Sequence, residues 1–187
     1  MSLTPAPNTD RTTTTDDITR EFLLTTFRTT GFMTLGRMVG KDRTTYRQSM
    51  FRYPEQMEYI LHHISRFRET HNLYVCTTLS GTGKTRVDAP LPTTVVWADL
   101  DDCDPAELFT KPTYLIRTSP GRHQAWWVLN RPVEASEAVM YARNIAARHK
   151  DQGCDTHGGL GKLMRLPGTL NHNYPGSPPI VEVPDEQ

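Results

Sequence analysis

The sequence predicts a mixed fold of the α+β or α/β class, and three observations support this prediction. Apolar residues recur at helical spacing in three separate segments. Between them lie short runs rich in Val, Ile, Tyr and Trp, bounded by Gly- and Pro-containing turns, which are typical of strands. The chain has 187 residues, enough for one compact domain. We expect this domain to span residues 16–187, as an N-terminal subdomain (16–71) and a core (72–175).

The two ends of the chain differ in composition from the rest. Residues 1–15 are rich in Thr, Pro, Asn and Asp and have few large apolar side chains to bury. We therefore expect a disordered leader there, because burial cannot offset the entropy of ordering it. Near the other end, prolines flank a short apolar run, which predicts one edge strand around Ile180–Val183.

The N-terminal subdomain is predicted as helix, strand pair, helix. Asp16 is the expected cap of the first helix, whose apolar residues keep helical spacing. Residues 31–53 are typical of two strands joined by a turn near Gly40–Asp42. Pro54 is then expected to open the second helix, which has a continuous apolar face.

The core is predicted to alternate strands and turns before one more helix. The helix spans Glu134 to Lys150, with acids in its first turn and basic residues in its last. Residues 151–178 are expected to form a loop. The segments predicted as strands are 73–79, 94–101, 113–118 and 123–129, the first two being joined as a hairpin through a polar, Gly-rich loop.

Charge and composition exclude several classes of protein. The chain has 21 Lys+Arg and 21 Asp+Glu, so any binding of a polyanion must depend on a local basic patch. No apolar run approaches the length of a transmembrane helix, and the N-terminus lacks the apolar segment of a signal peptide. The three cysteines have neither disulfide nor zinc-site spacing. We expect a cytoplasmic protein.

The most specific chemical motif is the sequence VVWADLDD at residues 95–102. Because side chains two apart on a strand share a face, Asp99 and Asp101 are predicted to point the same way. Two like charges beside an apolar strand are costly to bury without a counter-ion, and Mg²⁺ or Mn²⁺ would supply one. The alternative is that these acids only cap the helical turn predicted to follow at Asp104–Pro105.

Two further segments contain polar groups suited to binding anions. The turn Ser119–His123 combines a hydroxyl, an imidazole and a glycine through which a phosphate could approach the backbone. Its alternative is an ordinary Pro-Gly hairpin. Farther along, Asp155 stands isolated among glycines, and the stretch from Lys162 to His172 is rich in hydrogen-bond donors. Its alternative is a flexible surface loop.

Taken in order, these motifs resemble the primase-polymerase (prim-pol) domains of the archaeo-eukaryotic primase superfamily, above all those of phage and plasmid replication proteins. That family has an acidic pair in an apolar strand, here Asp99–Asp101, followed by a Ser-x-Gly-x-His element, here Ser119–His123. A third acid follows, best matched by Asp155, and then an Arg-Leu-Pro-Gly-Thr-x-Asn-His stretch, here Arg165–His172. The resemblance covers about residues 72–173.

The resemblance implies an α+β fold, with an RNA-recognition-like sheet and flanking helices packed on an N-terminal α/β subdomain. It implies template-directed nucleotidyl transfer, with nucleoside triphosphates as substrates and a two-metal site for Mg²⁺ or Mn²⁺. The implied metal ligands, which are also the catalytic residues, are Asp99, Asp101 and Asp155. The implied nucleotide-binding residues are Ser119, His123, Arg165, Asn171 and His172, to which we add Lys162 for its charge.

A single-stranded or primed DNA template is the expected partner, and a helicase domain in the same or another chain is a further one. Residues 28–52 hold six basic residues against a single acid, and the aromatic side chains of Tyr46, Phe51 and Tyr53 in and beside this segment could stack on bases. The alternative is a solvated hairpin. The predicted DNA-binding residues are Arg37, Lys41, Arg43, Arg47, Lys84 and Arg86.

Three other functions compete with the prim-pol hypothesis. The segment SGTGKTR at 80–86 is similar to a phosphate-binding P-loop, but Thr78 replaces its first glycine and the following prolines prevent a helix. A metal-dependent nuclease would use the same acids to activate water. A non-catalytic single-stranded nucleic-acid-binding module would have them capped or in salt bridges.

Overall fold

The computed structural model describes residues 14–174, and this part of the chain contains three α-helices and seven β-strands. No helix in this described part of the chain is long and apolar enough to cross a membrane. The elements are α1 (Thr15–Thr26), β1 (Gly31–Met38), β2 (Arg47–Tyr53), α2 (Met57–Phe67), β3 (Asn72–Cys76), β4 (Thr93–Asp99), β5 (Tyr114–Ser119), β6 (Arg122–Val133), α3 (Ala135–Arg148) and β7 (Leu163–Arg165). Short 3₁₀ turns lie at Arg43–Thr45, Pro105–Glu107 and Lys150–Gln152.

The strands form two antiparallel sheets. The first sheet has the order β2-β1-β3-β7 and the second has the order β4-β6-β5. Helices and antiparallel sheets in this mixture define the α+β class that was predicted.

Helix α1 joins the two sheets into one core. Its Phe22 ring packs edge-on against Trp126 of β6, with ring centroids 5.2 Å apart. Phe27, just after the helix, packs against Tyr53 of β2 at 6.1 Å. The buried Tyr53 hydroxyl donates to the carbonyls of Leu23 and Phe27, so this ring is not available to stack on a base as the sequence suggested.

Helix α1 begins earlier than the sequence predicted. Its N-cap is Thr14 and not Asp16, because the Thr14 hydroxyl accepts a hydrogen bond from the backbone N–H of Asp17 while the Asp17 carboxylate bonds back to Thr14. Thr14 and Thr15 therefore belong to the helix and not to the leader. The rest of the predicted leader and the predicted strand at Ile180–Val183 lie outside the described residues.

The strand pair β1–β2, the third helix and the strands of the core agree with the predicted order of elements. Helix α2 begins at Met57, with Gln56 as its N-cap, so Pro54 does not open it as predicted. The predicted hairpin between β3 and β4 is wrong, since these strands belong to different sheets. Strand β7, within the predicted loop 151–178, pairs with β3. A backbone hydrogen bond from Asp155 to Asp99 places the end of β4 next to the segment that precedes β7.

Candidate active site

Strand β4 ends at Asp99, which lies at the edge of the buried core. Every residue of this strand before Asp99 is buried, on both faces of the sheet, as the sequence predicted. The Asp99 side chain is 25% exposed. An ionised carboxylate is therefore held mostly away from water at the point where the strand ends.

Asp101 does not continue the strand, so its position differs from the prediction of a shared strand face. The strand ends at Asp99, and Asp101 lies in a turn with a left-handed φ of +45°. Non-glycine residues rarely adopt this backbone conformation, and they do so more often at functional sites. Asp101 is still close enough for its charge to raise the pKa of Asp99. Its carboxylate accepts a hydrogen bond from Arg122 at 3.0 Å.

Asp155, more than fifty residues later in the sequence, lies beside Asp99. The backbone N–H of Asp155 donates to the carbonyl of Asp99 at 2.9 Å, which fixes the two segments together. Lys162 then bridges the two carboxylates. Its ammonium nitrogen is 2.9 Å from Oδ2 of Asp155 and 3.6 Å from Oδ2 of Asp99.

The two carboxyl groups have pKa values shifted in opposite directions. Burial raises the pKa of Asp99, and the charges of Asp101 and Asp155 add to this, while Lys162 opposes it. Burial also acts to raise the pKa of Asp155. Hydrogen bonds from the backbone N–H of His157 and from Lys162 have the larger effect, so the pKa of Asp155 is lowered. The folded protein thus penalises the charge on Asp99 and stabilises the charge on Asp155.

The carboxylate oxygens of Asp99 and Asp155 suit a hard divalent cation, although in this structure the ammonium group of Lys162 neutralises their charge. Carboxylate oxygens are the ligands that Mg²⁺ and Mn²⁺ prefer. Within residues 14–174, no three His, Cys, Asp or Glu side chains stand in an arrangement ready to hold a metal ion. A small cleft lined by Asp99, Asp155 and Lys162 has a free volume of about 10 Å³, room for one water-sized particle. A cation therefore fits the chemistry of these residues if the ammonium group of Lys162 moves aside.

The hairpin between β5 and β6 presents the predicted anion-binding turn. Gly121 has a φ of +72°, and nothing lies within 4 Å of where a side chain would start, so its backbone is open to an approaching group. His123 is half-buried, and its Nδ1 atom has no hydrogen-bond partner among the described residues. Burial, with the charge of Arg117, lowers the pKa of His123. Ser119 is buried beside it.

Arg165 on β7 is a buried guanidinium group that forms no ion pair with any carboxylate in the described part of the chain. It is 7% exposed, donates to Oδ1 of Asn72 at 2.8 Å and lies 5.3 Å from the centre of the Tyr74 ring. An unneutralised buried charge is costly unless an anion compensates it. Arg165 is therefore well suited to a phosphate group.

Asn171 and His172 make structural contacts in the described chain. The buried Asn171 amide donates to the carbonyl of Thr118 on β5 at 2.6 Å. The Nε2 atom of His172 lies 2.7 Å from the carbonyl of Arg68, after the end of α2. Both side chains hold the segment after β7 in place, and their predicted contact with a nucleotide stays a prediction.

Gln124 is a residue of this site that the sequence analysis missed. It lies on β6 directly opposite Asp99 and is 5% exposed, and hydrogen bonding from its side chain acts to lower the pKa of Asp99, against the larger effect of burial. Its Oε1 atom accepts from the backbone N–H of Arg165 at 2.9 Å. A polar residue in an otherwise apolar strand, His-Gln-Ala-Trp-Trp, was the available signal.

The predicted DNA-binding residues fall into two groups. Two are anchored by the fold: Arg37 stacks 4.3 Å above the Phe67 ring, and Arg86 bonds to the carbonyl of Gly161 and the hydroxyl of Tyr46. The other four are exposed and lie in the loops or on the edge strand β2, namely Lys41, Arg43, Arg47 and Lys84.

A larger groove of about 370 Å³ lies between α3 and the second sheet. It is lined mainly by apolar and aromatic side chains, including Phe109, Trp127 and Tyr141, and by none of the predicted site residues.

The comparisons with known proteins show that this chain contains a domain of a DNA-primase family. The family model of the RepB DNA-primase N-terminal domain matches residues 50–183, and the chain belongs to this family. No curated protein sequence matches the chain significantly.

Solved structures of primases have the same fold. The crystal structure of primase RepB′ has a TM-score of 0.60 at 17% identity, covering 91% of this chain and 56% of that one, so this chain spans little more than half of its length. The catalytic domain of RepB′ in complex with initiator DNA has a TM-score of 0.63 at 15% identity, covering 91% and 84%. The archaeo-eukaryotic primase domain of the cyanophage S-2L primase-polymerase has a TM-score of 0.61 at 15% identity, covering 91% and 89%. The resemblance drawn from the sequence motifs is thereby confirmed.

Proposed function

We propose that this domain is a DNA-directed primase-polymerase that adds nucleotides to a 3′-end paired with a DNA template. The observation that supports it most is the meeting of Asp99 and Asp155 around one cationic group, Lys162. Like charges from distant parts of the chain gather at a costly, half-buried position, which is typical of a site that binds cations.

In this proposal the acids bind Mg²⁺ or Mn²⁺, which when bound would activate the primer hydroxyl and neutralise charge on the leaving pyrophosphate. Asp99 and Asp155 would provide oxygen ligands, and Asp101 would join them once it separates from Arg122. Arg122 and Lys162, freed from the acids, would then be available to the triphosphate.

The residues around the hairpin would hold the substrate. The open backbone at Gly121 and the imidazole ring of the half-buried His123 would contact phosphate oxygens, and the buried Arg165 would contribute the compensating positive charge. The exposed basic residues of the β1–β2 loop would follow the phosphate backbone of the template. The RepB′ structure solved with initiator DNA supports a DNA partner of this kind.

The test is extension of a labelled primer on a DNA template, and primer synthesis on unprimed single-stranded DNA, each with Mg²⁺ and with Mn²⁺. Asp99→Asn and Asp155→Asn should reduce extension by about 100-fold or more, since even groups that only support a metal ligand cost about 10–100-fold. The matched control is Asp102→Asn, in the same turn as Asp101 but 73% exposed.

Three results would overturn the proposal. If the Asp99→Asn variant extended primers at the wild-type rate, Asp99 would have no role in nucleotidyl transfer. Metal-dependent shortening of the DNA without nucleoside triphosphates would instead identify a nuclease. Binding of DNA without either reaction would leave only a nucleic-acid-binding module.

A further inference from the structure

Two buried amide side chains link the second sheet to the rest of the domain, one to strand β7 and the other to the segment that follows β7. No strand of the first sheet pairs with a strand of the second among the described residues. Gln124 on β6 reaches Arg165 on β7, and Asn171 reaches Thr118 on β5. Of these two amides, Gln124 is the one that also lies directly opposite a carboxylate residue of the candidate site, Asp99.

The orientation of the Gln124 amide follows from its partners. The backbone N–H of Arg165 can only donate a hydrogen bond, so the oxygen of the Gln124 amide must face it. The amide NH₂ group must then face the Asp99 carboxylate, which can accept.

The surroundings leave Gln124 little freedom to turn. It is 5% exposed, on the central strand of the second sheet, with Asp99 opposite on one side and Ile116 on the other. A buried amide whose oxygen is bonded to Arg165 and whose cross-strand neighbour is a carboxylate is held in a fixed position, because an unmade hydrogen bond there is costly.

We infer that Gln124 is a positioning residue: it orients the Asp99 carboxylate and fixes its position relative to Arg165 on β7. This inference rests on the proposed function, since it gives Gln124 its role through a metal ligand. Residues that hydrogen-bond a metal ligand orient it, and their loss typically costs about 10–100-fold in metal affinity.

The experiment measures Mn²⁺ binding to the whole chain by isothermal titration calorimetry, with no nucleotide or DNA present. Gln124→Met keeps the length and burial of the side chain and removes both hydrogen-bonding groups. Its dissociation constant for Mn²⁺ should rise about 10-fold or more. The control is Thr94→Val on β4, which deletes one buried hydrogen bond, to the carbonyl of Thr26, away from the acids. It should lower the melting temperature and leave Mn²⁺ affinity unchanged.

Unchanged Mn²⁺ affinity in a folded Gln124→Met variant would overturn the inference. If that variant does not fold, Gln124→Asn takes its place: this amide is one methylene shorter and cannot reach Asp99 and Arg165 together, so the same loss is expected. Asp99→Asn separates this inference from the proposed function. Loss of Mn²⁺ binding in Asp99→Asn but not in the Gln124 variants would contradict only the inference, whereas retention in Asp99→Asn would contradict the metal site itself.

Discussion

Replacing Lys162 with Met should destabilise the metal-free protein and enlarge the increase in melting temperature that Mn²⁺ produces. The ammonium group is the cation shared by Asp99 and Asp155, and the three side chains are 19%, 25% and 19% exposed. Exposed ion pairs contribute about 0–1 kcal/mol, and removing one partner of a fully buried pair costs about 3–5 kcal/mol. For this intermediate burial we expect a loss of about 2 kcal/mol.

The assay is thermal unfolding in EDTA at neutral pH, followed by the same measurement with MnCl₂. A loss of about 2 kcal/mol lowers the melting temperature of a chain this long by roughly 4–8 °C. The increase produced by Mn²⁺ should be larger in Lys162→Met than in wild type, because the ammonium group no longer competes for the carboxylates. Lys111→Met, an exposed lysine outside the site, is the control for loss of charge.

The pH dependence provides a second check. The lowered pKa of Asp155 means that its ion pair stabilises the fold above the ordinary pKa of an aspartate and that this stabilisation is lost as the pH falls through the lowered pKa. The difference between wild type and Lys162→Met should therefore shrink in acid. Equal melting temperatures in EDTA and equal increases with Mn²⁺ would refute the assignment of Lys162 as the shared counter-ion.

Three further changes test other parts of the structure. Asp99→Asn should raise the melting temperature in EDTA at neutral pH, because the raised pKa of Asp99 means that the folded state penalises its charge; a lower melting temperature would contradict this. Gly161→Ala should destabilise the protein in urea unfolding by about 1–3 kcal/mol, because φ is +75° and the new Cβ would lie 2.6 Å from Cγ1 of Val87. Arg43→Gln should weaken DNA binding and reduce the slope of log K against log salt by about 1, measured by fluorescence anisotropy; an unchanged slope would remove Arg43 from the interface.

Much of the fold could be predicted from local patterns. The apolar spacing of α2 and α3 and the unbroken apolar run of β4 each follow from side-chain periodicity, and both agree with the structure. The three acids could likewise be found as charges that local structure did not explain. Their grouping required the resemblance to a family, because periodicity says nothing about residues 56 positions apart such as Asp99 and Asp155.

The features that could not be predicted depend on non-local pairing. Strand β7 has three residues, too few for a period, and it exists because β3 pairs with it across the sheet. The hairpin expected between β3 and β4 assumed that neighbours in sequence pair, which these two strands do not. Gln124 lies opposite Asp99 because of the register between β6 and β4, and Lys162 reaches Asp99 because of the path of the loop before β7. Local sequence patterns predict neither the register nor the path of this loop.

The most direct measurement is the anomalous difference density of crystals of the protein grown with Mn²⁺ and a non-hydrolysable nucleoside triphosphate. The account predicts a manganese peak within coordination distance of the carboxylates of Asp99 and Asp155, with the ammonium group of Lys162 displaced from between them. A nucleotide bound with no manganese at this position, and Lys162 still bridging the two acids, would contradict it.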